Sequence, residues 1–498
     1  MSRSSRLTAA VVAGVMLLVA AACGQKPGVS EQGVAFGDLG LAGEDLRCDP
    51  ETGQCVDDQG NIIDAETGEV IGHIDDEGSG GTTTTSDDGL GPTASGSNPG
   101  DGSGGSTDDP SAGGDDPGGD RRDPSGGSPS GGDTTGVTGT SIKIGYHIPI
   151  TGAAAVPAPS FRKGSTLYWD WLRSRGTKIN GRTVEAVYRN DEYNPSRAVA
   201  VCKELVEDEK VFLLIGVAGT DQIQACARYA YSVGVPYISA GVTEIGLTNL
   251  SNYFAVWLSY KQQGPLLADL LVDQLGARNE RNAMIRYTST LFEDAHSSFV
   301  SAMRARGASL AYDVAISKSC NQSDVTRVST QIATQRLQNV YVLMSPQCFL
   351  QIANATQNQG WHPQWTGVGL SMALDTVANL GCRTDAIDNA RFLSPYPAFI
   401  DSTRFDRNFR AAGGEDDIQF AFWGFSKVIE QMLRAPGRDL TRERFVYTTE
   451  RLQNIQSNVF PPVSFSPGDR FGGSSMHLNR ADCDINRWRT QAAFVRDF

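Results

Sequence analysis

The chain has 498 residues and a formal net charge of −14, and its acidic residues are concentrated near the N-terminus. Residues 24–140 contain 24 acidic and 4 basic residues, whereas the chain from residue 141 onward contains 33 acidic and 37 basic ones. Its basic residues are scattered, which argues against a nucleic-acid-binding domain because such a domain needs a clustered basic face. The length leaves room for two or three domains, each with a sizeable core.

Residues 1–22 are typical of a signal peptide, because Arg3 and Arg6 precede an apolar run, Leu7 to Ala20, that is too short to span a bilayer comfortably. Three alanines then precede Cys23, and this sequence resembles a bacterial lipobox, which predicts a lipid on Cys23. The alternative is an ordinary secretory cleavage site with an incidental cysteine. Both interpretations place the mature protein outside the cytoplasm, and the first anchors it to the cell membrane.

Residues 23–140 are predicted to form an acidic and mostly disordered tether. From about residue 78 to 139 the chain consists almost entirely of Gly, Ser, Thr, Asp and Pro, which cannot bury enough apolar surface to offset the entropy of folding. Pairs of Val and Ile between turn residues predict a small hairpin near residues 46–76.

Strands and helices alternate from residue 141 onward, which predicts an α/β fold with doubly wound parallel sheets. A second cycle of the same kind follows the first, so we expect two similar lobes with a cleft between them. Ligands of such sheets bind beyond the carboxyl ends of the strands. The first cycle has strands at 141–150, 183–191, 210–219 and 235–241 and helices at 161–176, 195–208 and 221–234; the second has strands at 282–288, 308–317, 339–345 and 364–370 and helices at 292–307, 323–337 and 349–360.

Eight cysteines remain when Cys23 is set aside, and export makes disulfides their expected state. Spacing alone does not fix the connectivity. Cys48 and Cys55 flank a short turn, and Cys202 and Cys226 lie on consecutive helices that should pack side by side. The other predicted pairs are Cys320 with Cys348 and Cys382 with Cys483. No metal or cofactor is expected, because the chain has no CxxC pair and its five histidines lack ligand-like spacing.

Four segments, IKIGYHIPITGAAAV, INGRTVEAVYRNDEYNPSRAVAVCKELV, LLIGVAGT and VGVPYISAGVT, resemble the leucine/isoleucine/valine-type solute-binding proteins of ABC transporters in order and spacing. The resemblance extends from Ile142 to about Asp469. It implies a type I periplasmic-binding fold, a two-lobed flytrap crossed by three hinge strands. We expect the first lobe at about 141–257 plus 398–462 and the second at about 258–397 plus 463–498.

The resemblance also implies a ligand site at the cleft. The residues that match Thr220 and Thr243 hold a ligand carboxylate in that family, and the carbonyl that matches Gly241 accepts from the ligand ammonium. The position of both threonines after strands supports this role, although helix capping alone would also explain them. The other predicted ligand-binding residues are Thr151, Gly152, Pro157, Gly219, Leu291, Phe292 and Ser371.

The second lobe departs from the family at the position of the acidic residue that neutralises an ammonium. Gly369, Leu370 and Ser371 stand there, which weakens the case for an α-amino acid. Glu244 could supply the missing charge, but a solvated surface glutamate is the simpler interpretation.

The predicted function is capture of a small polar solute, such as an amino acid or an amide, for delivery to the permease subunits of an ABC importer. We expect a monomer with no nucleic-acid partner. One alternative is a ligand-sensing lipoprotein of the same fold that reports to a membrane receptor. Another is an extracytoplasmic enzyme, but the chain has no GxSxG, GxxxxGK[ST] or HExxH motif, and no catalytic activity is expected.

Overall fold

The computed structural model describes residues 132–152, 157–368 and 374–496, together with the backbone of four short strands nearer the N-terminus. The predicted signal peptide, Cys23, most of the predicted tether and Ser371 lie outside the described residues. The chain divides into two units, Met1–Gly118 and Gly119–Phe498.

The first unit contains a four-stranded antiparallel sheet in the order β1-β2-β3-β4. It lies in the region for which the sequence predicts a small hairpin. Cys48 and Cys55 stand opposite each other in the pairing of β1 and β2, and their disulfide stays a prediction. The strands are β1 (Arg47–Cys48), β2 (Gln54–Val56), β3 (Asn61–Asp64) and β4 (Val70–His73).

The second unit begins with a parallel five-stranded sheet in the order β6-β5-β7-β8-β9. Every residue of β7 and β8 is buried, as expected for strands covered on both faces. Asn194 caps α2, its side chain accepting from the Arg197 amide at 3.0 Å, and Pro195 opens that helix. The elements are β5 (Ser141–Ile148), α1 (Ala158–Ser174), β6 (Thr183–Asn190), α2 (Pro195–Glu207), β7 (Leu213–Gly216), α3 (Thr220–Ser232), β8 (Tyr237–Ser239) and β9 (Tyr253–Ala255).

A seven-stranded sheet follows, in the order β11-β10-β12-β13-β14-β15-β16. Its first five strands are parallel, and β15 and β16 pair antiparallel at one edge. The elements are α4 (Tyr260–Asp269), β10 (Asn282–Tyr287), α5 (Glu293–Ala305), β11 (Leu310–Ile316), α6 (Gln322–Thr334), β12 (Asn339–Leu343), α7 (Pro346–Gln357), β13 (Gln364–Gly367), α8 (Leu374–Gly381), β14 (Arg391–Ser394), α9 (Ser402–Phe405), α10 (Arg407–Ala411), α11 (Asp417–Arg434), α12 (Arg442–Thr449), β15 (Met476–Asp482) and β16 (Arg487–Val495).

Two hydrophobic cores divide this unit into two lobes. The first core contains residues from Ile142 to Trp257 and again from Tyr396 to Phe471, and the second contains residues from Leu258 to Ala398 and from Met476 to Trp488. The chain therefore crosses between the lobes near residues 257, 397 and 472. The last crossing comes about ten residues later than the sequence predicts, because Val463, Phe465 and Phe471 pack in the first core.

The α/β class and the β-α-β order predicted for both lobes are confirmed. The three disulfides predicted in the folded part are also present, between Cys202 and Cys226, Cys320 and Cys348, and Cys382 and Cys483. In the part of the chain that the structure describes, no helix combines the length and the apolar character needed to cross a bilayer.

Candidate functional site

A cavity that is partly open to solvent lies between the two lobes. Its walls come from the carboxyl ends of parallel strands in both sheets, where ligands of α/β folds bind. The first lobe and the start of α4 contribute Phe161, Tyr193, Val217, Ala218, Gly219, Thr220, Ala240, Gly241, Val242, Trp257, Tyr260 and Gln263, and the rest of the second lobe contributes Tyr287, Phe292, Leu343, Met344, Ser345, Pro346 and Val368.

One wall of the cavity is the start of α3. The loop after β7 turns through Gly219, whose φ of 83° suits glycine, and Thr220 then begins the helix without a side-chain cap. The first backbone N–H groups of such a helix have no partner within it and favour a negatively charged group. Thr220 is buried, and its hydroxyl interacts with that of Tyr260. This wall can therefore hold an anion or another strong hydrogen-bond acceptor.

The opposite wall carries a second hydroxyl cluster. Tyr287 ends β10, and its hydroxyl lies 2.7 Å from the Ser345 Oγ while accepting from the Ser345 amide at 3.2 Å. Ser345 also caps α7, although its bond from the Cys348 amide is long, at 3.4 Å. Burial raises the pKa of Tyr287 and that of Tyr260, so both phenols stay protonated at neutral pH.

Tyr193 reaches the cavity from the loop after β6. Its backbone is in the left-handed region, at a φ of 56°, and its amide donates to the Asp191 Oδ1 at 3.0 Å. The other Asp191 oxygen lies 2.8 Å from the His147 Nδ1, and the His147 Nε2 lies 2.6 Å from the Tyr237 hydroxyl. This buried chain of three polar side chains fixes the loop that presents Tyr193.

The lobes contact each other beside the cavity. Asp221, in the first turn of α3, forms an ion pair with Lys318 of the second lobe. Asp294 of α5 accepts from the Glu244 amide at 2.8 Å and from the Thr243 hydroxyl at 3.3 Å. Burial raises the pKa of the Asp294 carboxyl.

Four of the sequence-predicted site residues line the cavity together: Gly219, Thr220, Gly241 and Phe292. Thr243 is fully buried beside the cavity and contacts Asp294. Thr151 and Gly152 are exposed, and Thr151 exchanges hydrogen bonds with Asn190. Pro157 precedes α1, and neither it nor Leu291 is among the described lining residues.

Several lining residues were missed by sequence reasoning. Tyr193, Tyr287 and Ser345 each stand at or just after the carboxyl end of a strand that the sequence does predict, so position alone could have indicated them. Trp257 and Gln263 follow β9, whose three residues are too short for the sequence pattern to reveal.

Residues 141–484 match a protein family described as periplasmic binding protein. The chain belongs to the periplasmic binding protein family. An amino acid binding protein from Pseudomonas aeruginosa is 27% identical to it over 139 residues, which make up 28% of this chain and 37% of that protein. This binding protein therefore aligns with well under half the length of that curated relative.

Solved structures of solute-binding proteins share its fold. A fatty acid ABC transporter substrate-binding protein from Thermomonospora curvata superposes with a TM-score of 0.63 at 17% identity, covering 73% of this chain and 95% of that one. A Rhodopseudomonas palustris solute-binding protein in complex with 4-hydroxybenzoate gives 0.60 at 19% identity, covering 72% and 97%. A branched-chain amino acid ABC transporter protein from Thermus thermophilus with bound valine gives 0.61 at 15% identity, also covering 72% and 97%. The type I periplasmic-binding fold implied by the sequence is confirmed.

Proposed function

We propose that this binding protein captures a small solute between its two lobes outside the cytoplasm and delivers it to the permease subunits of an ABC importer. A lipid on Cys23 would hold the monomer at the membrane, and residues 24–131 would let the folded part reach the permease. The cavity between the lobes carries this proposal, because it combines a helix start without a side-chain cap, hydroxyls from both lobes and an aromatic lining.

Within this proposal Thr220 donates its hydroxyl to an anionic or strongly accepting group of the solute, beside the first N–H groups of α3. Gly219 lets the solute approach the backbone, and Phe292 packs against it from the second lobe. The names of the three structural relatives support an acidic group, since fatty acids, 4-hydroxybenzoate and valine all carry a carboxylate.

Thr243 has a different proposed role from that of Thr220. Its hydroxyl reaches Asp294 across the lobe boundary, so we assign it to the contact between the lobes that forms around the solute. The backbone amide of the next residue, Glu244, donates to the same carboxylate, which reinforces this contact.

The test is to purify the full-length protein from its own host and identify any co-purifying solute by native mass spectrometry. We expect a small acid that leaves on mild denaturation and raises the melting temperature when added back. A protein that carries no solute, and that a screen of candidate solutes fails to stabilise, would contradict capture. A Cys23→Ser variant should move from the membrane fraction to the soluble fraction, which tests the anchor separately.

A further inference from the structure

We infer that the cavity selects small aromatic or apolar carboxylic acids that lack an α-ammonium group, and that it discriminates against the corresponding amino acids. This inference rests on the proposed function and narrows its solute class. An amino acid presents two opposite charges close together, so a site for it must offer partners to both. The structure offers hydrogen-bond donors to the negative charge, whereas the acceptors that could meet the positive charge already have other partners.

The first observation is that every described residue lining the cavity is uncharged. Six of them are aromatic: Phe161, Tyr193, Trp257, Tyr260, Tyr287 and Phe292. An ammonium buried among these side chains would lose its water without gaining a carboxylate.

The second observation is that the carboxylates around the cavity are engaged with other groups. Asp221 pairs with Lys318, and Asp191 is fully buried against His147. Glu244 accepts from Ser259 at 2.7 Å and pairs with Lys261 at 2.7 Å, so it does not supply the charge considered from the sequence. The Asp294 carboxylate oxygens accept from the Thr243 hydroxyl and from backbone amides.

The Gly241 carbonyl is the acceptor that the family resemblance assigns to an ammonium. Here the Trp257 indole Nε1 donates to that carbonyl at 3.0 Å. Trp257 is buried and packs edge-to-face against Phe425 and Phe460, so the indole is held in place. The acceptor that would meet an ammonium already has a fixed donor.

One neutral acceptor in the cavity wall is without a protein partner. The Gln263 Nε2 donates to the Leu258 carbonyl at 2.7 Å, which fixes the orientation of the amide and leaves Oε1 buried without a hydrogen bond. Gln263 is 1% exposed. A lone amide oxygen suits a hydroxyl or N–H of the solute, but it does not neutralise an ammonium.

Matched pairs that differ only in the ammonium test the inference on the full-length protein stripped of solute. The pairs are 3-phenylpropanoate with L-phenylalanine and 4-methylpentanoate with L-leucine, with 2-phenylethylamine as a probe that carries only the positive charge. We expect at least one acid to bind about tenfold or more tightly than its amino acid by calorimetry, and the amine to give no heat. The inference would be overturned if either amino acid bound more tightly than its matched acid, or if neither acid bound.

A Gln263→Glu variant extends the test by adding a carboxylate of nearly the same shape. We expect it to weaken acid binding at pH 8 and to narrow or reverse the preference against the amine and the amino acids. Gln263→Met is the neutral control and should keep the preference for acids. If the parent prefers amino acids while a co-purifying solute is still found, the solute class is wrong and capture stands. If neither acids nor amino acids bind and no solute co-purifies, the proposed function fails as well.

Discussion

At the level of single residues, Tyr193 shows how buried polar groups shape the cavity. Both Glu192 and Tyr193 have φ values near 55°, which non-glycine residues seldom adopt without support. The Asp191 carboxylate supplies that support through the Tyr193 amide, and His147 and Tyr237 hold the carboxylate in turn. His147 thus supports the loop that places the Tyr193 ring in the cavity wall.

Thr220→Val removes one hydroxyl from the cavity and preserves the shape of the side chain. A hydrogen bond to a charged group contributes roughly 1.5 to 3 kcal/mol, so we expect affinity for whichever of the two probe acids binds more tightly to fall about 10- to 100-fold. The free energy of unfolding should fall by about 1 kcal/mol, because the variant loses the contact with the Tyr260 hydroxyl but no helix-capping bond. Calorimetry and urea unfolding measure the two effects.

The matched control for Thr220→Val is Thr334→Val, which removes an exposed hydroxyl from the last turn of α6. It should leave affinity unchanged. Parental affinity in Thr220→Val would show that the threonine only begins the helix.

The residues that the sequence placed correctly at the cavity follow strands with strong apolar patterns. Gly219, Thr220 and Gly241 come directly after β7 and β8, so topology alone brings them to one edge. Thr151 also follows a strand, but its loop bonds to Asn190 instead, and such side-chain pairing between loops leaves no trace in the sequence. Strand order predicts which edge forms a site, and side-chain packing decides which residues face it.

At the level of secondary-structure elements, the disulfide between Cys202 and Cys226 ties α2 to α3, the helix whose first residue lines the cavity. The two cysteines are 24 residues apart, and cross-linking a loop of this length stabilises a fold by about 3 kcal/mol in the chain-entropy account. We expect a Cys202→Ala/Cys226→Ala protein to lose about 2 to 4 kcal/mol of unfolding free energy in urea. If reduction lowers the free energy of unfolding of the parent and of the alanine variant by the same amount, the stabilisation comes from the other two disulfides.

The sequence predicted the two β-α-β cycles but not the elements after residue 370. The early strands are continuous apolar runs bounded by turn residues, which is a strong signal. By contrast, β15 and β16 mix charged and apolar residues because they pair antiparallel at a sheet edge. Long α11 comes after the two β-α-β cycles; it packs against α1, and its residues from Asp417 to Ser426 are all buried.

At the level of the whole molecule, acidic side chains from the two lobes face each other across the boundary. Asp375 of α8 lies near Asp416 and Asp417 at the start of α11, with Arg410, Arg487 and Tyr396 also close. Burial, followed by the charge of Asp416, outweighs the two arginines and raises the pKa of Asp375 to about 6. Burial also raises the pKa of Asp417, so the lobes come together more readily when these acids are protonated.

Asp375→Asn should therefore stabilise the protein at pH 8 by about 3 kcal/mol. Because the folded pKa is above the unfolded one, the contribution of Asp375 is fully present below about pH 4 and is lost as the pH rises through about 6. The gain of the variant should accordingly vanish near pH 4. Urea unfolding at pH 4, 6 and 8 measures it, with exposed Asp208→Asn as the control. A gain that does not change with pH would assign the effect to packing.

The ion pair between Asp221 and Lys318 joins the lobes at the edge of the cavity. The ion pair forms only where the lobes meet. It should therefore strengthen lobe closure and solute affinity and have little effect on the folding of either lobe. Both side chains are partly exposed, at 24% and 42%, which limits the pair to at most about 1 kcal/mol.

Lys318→Glu replaces this attraction with repulsion, so we expect solute affinity to fall about three- to tenfold at low salt and the loss to shrink as salt is added. Spin labels on the two lobes should report a longer mean distance in the variant at the same solute concentration. In an Asp221→Asn background the same substitution should cost much less, because the partner charge is gone. Lys203→Glu, an equal charge reversal on the exposed face of α2, is the control and should leave both readouts unchanged. Equal losses in both backgrounds would mean that Lys318 acts on the solute through its own charge and that the ion pair does not hold the lobes together.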